Sequence, residues 1–119
     1  MHNFKELKVW QEAMSLAKDI FIATRNFPSE EKFGLISQMN RSAVSIASNI
    51  AEGAGRESSK EFNHFLNIAL GSCFELETQL ILSTDFNYIT KEKTESLTEK
   101  ACKIQKMLNG LKKSIYQQS

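Results

Sequence analysis

Between Arg41 and Leu82 the chain reads RSAVSIASNIAEGAGRESSKEFNHFLNIALGSCFELETQLIL, two strongly apolar patterns of helical period joined by a short glycine-bearing turn. Phe62, Leu66, Ala69, Cys73, Leu76 and Leu80 alternate in steps of four and three, the heptad seam of a helix that packs on other helices. Phe65, Ile68, Leu70, Phe74, Ile81 and Leu82 widen that seam beyond what one side of a bundle requires. In the turn, Gly53 and Gly55 can take the positive φ that ends a helix, and Ser58 and Glu61 stand in the S-x-x-E relation of a capping box. So short a turn makes its two helices antiparallel neighbours, and the rest of the chain is arranged around that hairpin.

Upstream, Leu7, Trp10, Met14, Ala17 and Phe21 form one seam, and Val9, Ala13, Leu16, Ile20, Ala23 and Phe27 a second beside it. That first helix again carries surplus apolar width, which points to a contact beyond the domain. Pro28 closes it, because proline disfavours the helical conformation at Phe27 and offers no N–H. Ser29 is the expected N-cap of a second helix starting near Glu30, with Glu30 and Glu31 at its positive dipole end. Its buried face reads Phe33, Ile36, Met39, Ala43, Ile46 and Ile50. Among them Ser37, Ser42, Ser45, Ala47, Ser48 and Ala51 are small enough for a neighbouring helix to approach closely. After a break at Asp85–Ile89, Thr90 can cap a fourth helix with the single seam Leu97, Ala101, Ile104, Leu108, Leu111 and Ile115; Gly110 weakens that helix without ending it. No strand-like alternation competes. The expectation is one all-α domain over residues 1–119, an antiparallel up-down-up-down four-helix bundle.

A chain of this length buries enough surface to stand without a disulfide or metal. Cys73 and Cys102 lie far apart, outside any C-x-x-C spacing, and both fall within apolar helical patterns, where free cysteine acts as a small hydrophobe. The N-terminus lacks the apolar core of a signal peptide, and no run approaches the roughly twenty apolar residues of a membrane span, so a cytoplasmic location is expected. With a formal net charge of +1 and a pI near 7.8, the whole-molecule field exerts no strong pull on nucleic acid or membrane, and any such binding must be local.

FGLISQMNRSAVSIASNIAEGAGR followed by SSKEFNHFLNIALGSCFELETQL resembles the four-helix-bundle proteins encoded in intervening sequences of bacterial 23S rRNA genes. FKELKVWQEAMSLAKDI and FPSEEKFGL match the same pattern, so the similarity runs to about Tyr88, with NIAEG, ALGS and ELETQL as its signature. Ala47 departs from it: such proteins often carry proline there, and this helix should run straighter. The resemblance implies an antiparallel four-helix bundle that assembles as a cyclic homopentamer. Its genomic setting, and a related accessory protein of diversity-generating retroelements, suggest RNA or an RNA-handling protein as partner. It implies no activity.

Candidate chemistry is sparse. Glu61 and His64 form the Glu-x-x-His unit of di-iron bundles, but such a site needs a second copy and two more glutamates, and the other histidine, His2, lies near a start expected to be disordered. Glu61 reads better as a cap and His64 as a surface or interface group, with no metal and no cofactor. Asn49, Glu52 and Arg56, with Gln38 and Arg41 upstream, can form a hydrogen-bonded network but hold no nucleophile paired to a base, so a structural role at the turn or between subunits is preferred. Gly53, Ser58 and Glu61 complete that polar signature. G-x-G here follows a helix and no G-K-[ST] comes after it, which excludes a phosphate loop. In the fourth helix Lys100, Lys103, Lys106, Lys112 and Lys113 form a basic outer strip, which a ring would repeat around its rim; with Arg56 these are the candidate nucleic-acid contacts. The reading is a non-enzymatic homo-oligomer that binds RNA or an RNA-handling partner, with no membrane and no small-molecule substrate. The competing class is a protein-interaction scaffold that never touches nucleic acid.

Overall fold

The computed structural model describes residues 2–118. After a single 3₁₀ turn at Phe4–Glu6 come four helices, α1 (Lys8–Thr24), α2 (Leu35–Ala54), α3 (Ser59–Asp85) and α4 (Lys91–Gln118), and no strand is present among the described residues. The helices pack as a ring: α1 on α2, α2 on α3, α3 on α4 and α4 back on α1, with no diagonal pair in contact. Adjacent helices are antiparallel. Along α2 and α3, Met39 meets Ser83, Ser45 meets Ser72 and Gly53 meets Phe62. Across α1 and α4, Asp19 meets Lys100 and Glu12 meets Lys103.

One of the two expected α1 seams makes the core; of the other, Leu7, Trp10, Met14 and Ala17 are only partly buried and Phe21 is exposed, and on α4 Leu111 is only partly buried. Val9, Ala13, Leu16, Ile20 and Phe27 are buried, as are the heptad residues of α3 and Leu97, Ala101, Ile104, Leu108 and Ile115 of α4. By length and composition α3 could cross a membrane, which the run-based expectation missed. Here its apolar character serves the core on one side and an exposed face on the other.

The α1–α2 connection differs from expectation. Ser29–Glu31 form only an isolated 3₁₀ turn, and α2 begins at Leu35, not near Glu30. Instead of Ser29 capping the helix, the Glu31 carboxylate curls back and accepts the Leu35 N–H at 3.2 Å. It passes so close to Gly34 that a Cβ there would stand 2.5 Å from Oε1. Phe33, expected in the core, therefore precedes the helix and is 88% exposed.

At the α2–α3 turn the glycines also act differently. Neither has a positive φ. Gly53 lies in the last turn of α2, where a Cβ would stand 2.9 Å from both Phe62 Cδ1 and Phe65 Cβ; the glycine is needed for close approach. Gly55 ends the helix with φ −81°. Ser58 caps α3 by accepting the Glu61 N–H at 3.1 Å, and its hydroxyl donates to Glu61 Oε1 at 3.2 Å. The one left-handed residue among those described is Asn87, with φ 61°. It ends α3 in a Schellman motif, Tyr88 N–H to Ser83 O at 2.9 Å and Asn87 N–H to Thr84 O at 3.0 Å. Thr90 then caps α4 by accepting the Lys93 N–H at 3.1 Å. The chain start is held too: the His2 N–H donates to Ala54 O at 2.8 Å and its ring packs on Phe62, against the expectation of disorder there.

Candidate nucleic-acid interface

At the α2–α3 turn, Arg56 Nη2 lies 2.5 Å from Glu52 Oε1, one helical turn back, and Nη1 lies 3.8 Å from Glu61 Oε2. Its guanidinium stacks over Phe65 at 4.8 Å from the ring centroid. Two carboxylates and a ring thus surround the one cation, and Arg56 braces the turn with little positive field left for a phosphate. Asn49 does not join this network; its amide donates to Ser45 O at 2.8 Å and to Ser45 Oγ at 2.9 Å. His64 stands exposed, edge-on to Phe65. Among the described residues no group of three His, Cys, Asp or Glu could hold a metal ion.

The basic strip on α4 is broken. Lys100 forms an ion pair with Asp19 and donates to Ser15 Oγ at 2.8 Å, while Lys103 reaches Glu12 at 3.2 Å. Both lean onto α1 and tie the first helix to the last. Lys106, Lys112 and Lys113 have no hydrogen-bond or ion-pair partner among the described residues. Lys112 is partly buried beside the seam, so the outward line consists of Lys106 and Lys113.

Gln38 and Arg41, grouped by sequence with the turn, line a polar cleft of about 370 Å³ between α2 and α3 instead, with Ser45, Ser72, Glu75 and Gln79. Ser72 donates to Ser45 across it at 2.9 Å. Gln79 is only 9% exposed and its Oε1 has no hydrogen-bond partner among the described residues. Arg41 and Glu75 face this cleft without pairing to each other.

The thiols are chemically quiet. Burial, with Glu77 and Cys102 nearby, pushes the Cys73 thiol up to about 12. Cys102, expected to be buried, is only partly so; it donates to Glu77 Oε1 at 3.2 Å, and that bond raises its pKa above the ordinary thiol value. Neither supplies a thiolate at neutral pH.

Two apolar surfaces remain uncovered. On the outer side of α3, Phe74 (54%), Ile81 (59%) and Leu82 are exposed, with Glu75 and Asp85 beside them. Between α1 and α2 runs a groove of about 610 Å³, lined by Met14, Phe21, Ile22 and Val44, with Lys18 and Arg25 but no carboxylate. The surplus apolar width of the first and third helices was legible in their double seams. The groove was not, because it needs α2 beside α1.

A family model described as 23S rRNA-intervening sequence protein matches residues 5–110. A solved structure, described as a protein of unknown function from the S23 ribosomal protein family of Bacteroides thetaiotaomicron, is similar at 31% identity with a TM-score of 0.79; the match covers 88% of this chain and 98% of that one. No curated protein matches the chain.

Proposed function

The chain belongs to the 23S rRNA-intervening sequence protein family, and from that premise we propose that it works in the bacterial cytoplasm as a non-enzymatic homo-oligomer that binds RNA, directly or through an RNA-handling partner. The observation that carries the assembly is a pair of unlike surfaces. The α3 ridge of Phe74, Ile81 and Leu82 is flanked by Glu75 and Asp85, with Arg41 of α2 in the cleft beside Glu75, and from Glu61 to Asp85 the chain itself holds no lysine or arginine. The α1–α2 groove is apolar with only positive charge, from Lys18 and Arg25. Ridge and groove match in polarity and oppose in charge, so one copy's ridge fits the next copy's groove. Contacts between two different surfaces are head-to-tail, and they close into a ring when the rotation allows; five copies is the number we propose. RNA contact rests on the family setting and on Lys106 and Lys113, which a ring repeats in every copy.

Light scattering tests the assembly: the wild type runs as a ring of several copies, and Phe74→Asp with Ile81→Asp falls to monomer. A monomeric wild type, or a double variant that keeps its mass, overturns it. Affinity for 23S rRNA fragments falls steeply with salt, the log–log slope counting neutralised phosphates; absence of binding at low salt removes the RNA reading. That outcome leaves the scaffold reading, which the near-neutral charge and the pairing of Lys100, Lys103 and Arg56 within the chain favour.

A further inference from the structure

The most exposed of the large apolar side chains is Phe33, on the α1–α2 connection at one end of the bundle. An exposed ring on a loose loop would mean little, but this backbone is pinned. Glu31 N–H bonds Pro28 O at 2.9 Å, Lys32 N–H bonds Ser29 O at 3.1 Å and Gly34 N–H bonds Glu31 O at 3.0 Å. The Glu31 carboxylate then holds the Leu35 N–H and, on its other oxygen, the Tyr88 hydroxyl at 2.9 Å. The fold thus holds an apolar ring out in water from a fixed base.

Its surroundings are cationic. Lys32 Nζ lies 5.6 Å from the Phe33 centroid, and Arg25 Cζ lies 5.0 Å from that of Phe21. Between Phe21, Arg25, Ser29, Lys32, Ile36 and Asn40 opens a cleft of about 280 Å³ with no carboxylate in its lining. Glu30 stands on the same turn but does not line the cleft, and Glu31 is engaged as described. Neither Arg25 nor Lys32 has a carboxylate partner among the described residues. Phe33 is not in that lining; Lys32 joins the two, lining the cleft and lying over the ring. An exposed ring with an unpaired cation over it matches an unpaired nucleotide: the base stacks on the ring while the cation meets its phosphate. A duplex keeps its base faces stacked within the helix and cannot use such a platform.

We propose that Phe33, with Lys32, is a stacking platform for single-stranded RNA, one per subunit. This rests on the RNA reading above and gives it a site apart from the α4 lysines.

The probe is a short fluorescent oligouridylate, bound to the full-length chain and then photocrosslinked for mapping by mass spectrometry. Phe33 is exposed, so Phe33→Ala leaves the fold intact. The expected results are a crosslink on Phe33, a loss of affinity of about ten- to hundred-fold in Phe33→Ala, retention in Phe33→Trp, and weak binding of duplex RNA. Wild-type affinity in Phe33→Ala, or crosslinks confined to α4, overturns the platform while the RNA reading stands. No binding of any RNA by the wild type overturns both. A change of assembly mass in Phe33→Ala makes Phe33 a contact between subunits, and the platform falls.

Discussion

The Tyr88 hydroxyl donates to the Glu31 carboxylate at 2.9 Å, joining the α1–α2 connection to the α3–α4 connection at one end of the bundle. The other oxygen of the same carboxylate caps α2 at Leu35. One side chain therefore sets where the second helix begins and fastens it to a loop more than fifty residues away. Phe33 lies on the backbone between Glu31 and Leu35 that this carboxylate holds.

The Tyr88–Glu31 bond makes a pH prediction. The hydrogen bond to Glu31, above all, raises the Tyr88 pKa from its ordinary value of 10.0. A raised pKa in the fold stabilises while the phenol is protonated in the unfolded chain, and that contribution is lost as pH climbs past 10 toward the folded value. Thermal melts of the wild type should show an extra alkaline loss of Tm that Tyr88→Phe lacks. Parallel alkaline limbs would count against it.

Glycine-to-alanine changes should split by position. Gly53→Ala forces a methyl against Phe62 and Phe65 and should cost about 1–3 kcal/mol. A Cβ at Gly110 would meet nothing within 4 Å, so Gly110→Ala should stabilise by about 0.5–1 kcal/mol through helix propensity alone. Denaturant unfolding of both reads the signs.

The α2–α3 pair packs over small residues, with Ser72 buried and its hydroxyl on Ser45. Ser72→Leu should destabilise by roughly 1–3 kcal/mol by overpacking, whereas Ser96→Leu, at an exposed position on α4, should be near neutral. Equal midpoints for the two would refute close packing there.

The lysines of α4 should divide between stability and RNA binding. Lys100→Ala breaks the partly exposed contact to Asp19 and Ser15, should cost no more than about 1 kcal/mol, and leaves RNA affinity unchanged. Replacing Lys106 and Lys113 by alanine should leave the melting temperature unchanged and flatten the salt dependence of RNA binding by about 0.7 for each phosphate no longer neutralised on a single strand. Titrations at several salt concentrations separate the two.

The polar signature divides along the same lines. The Ser58–Glu61 cap, the Arg56–Glu52 pair and the Thr90 cap link residues three or four apart, so the one-dimensional pattern contains them. Arg41 with Glu75 in one cleft, and Lys100 against Asp19, link residues far apart in sequence and depend on how the helices are laid side by side.

Periodicity, one proline and a few capping side chains suffice for four helices, their seams and their antiparallel order, because each is a local effect repeated along the chain. Which end of a seam stays dry, where α2 starts, why Gly53 is a glycine and which lysines are free came only with the packed bundle. Those outcomes turn on distances of a few ångströms between helices, and hydrophobic period carries no information about a carboxylate such as Glu31 reaching across to a neighbouring loop.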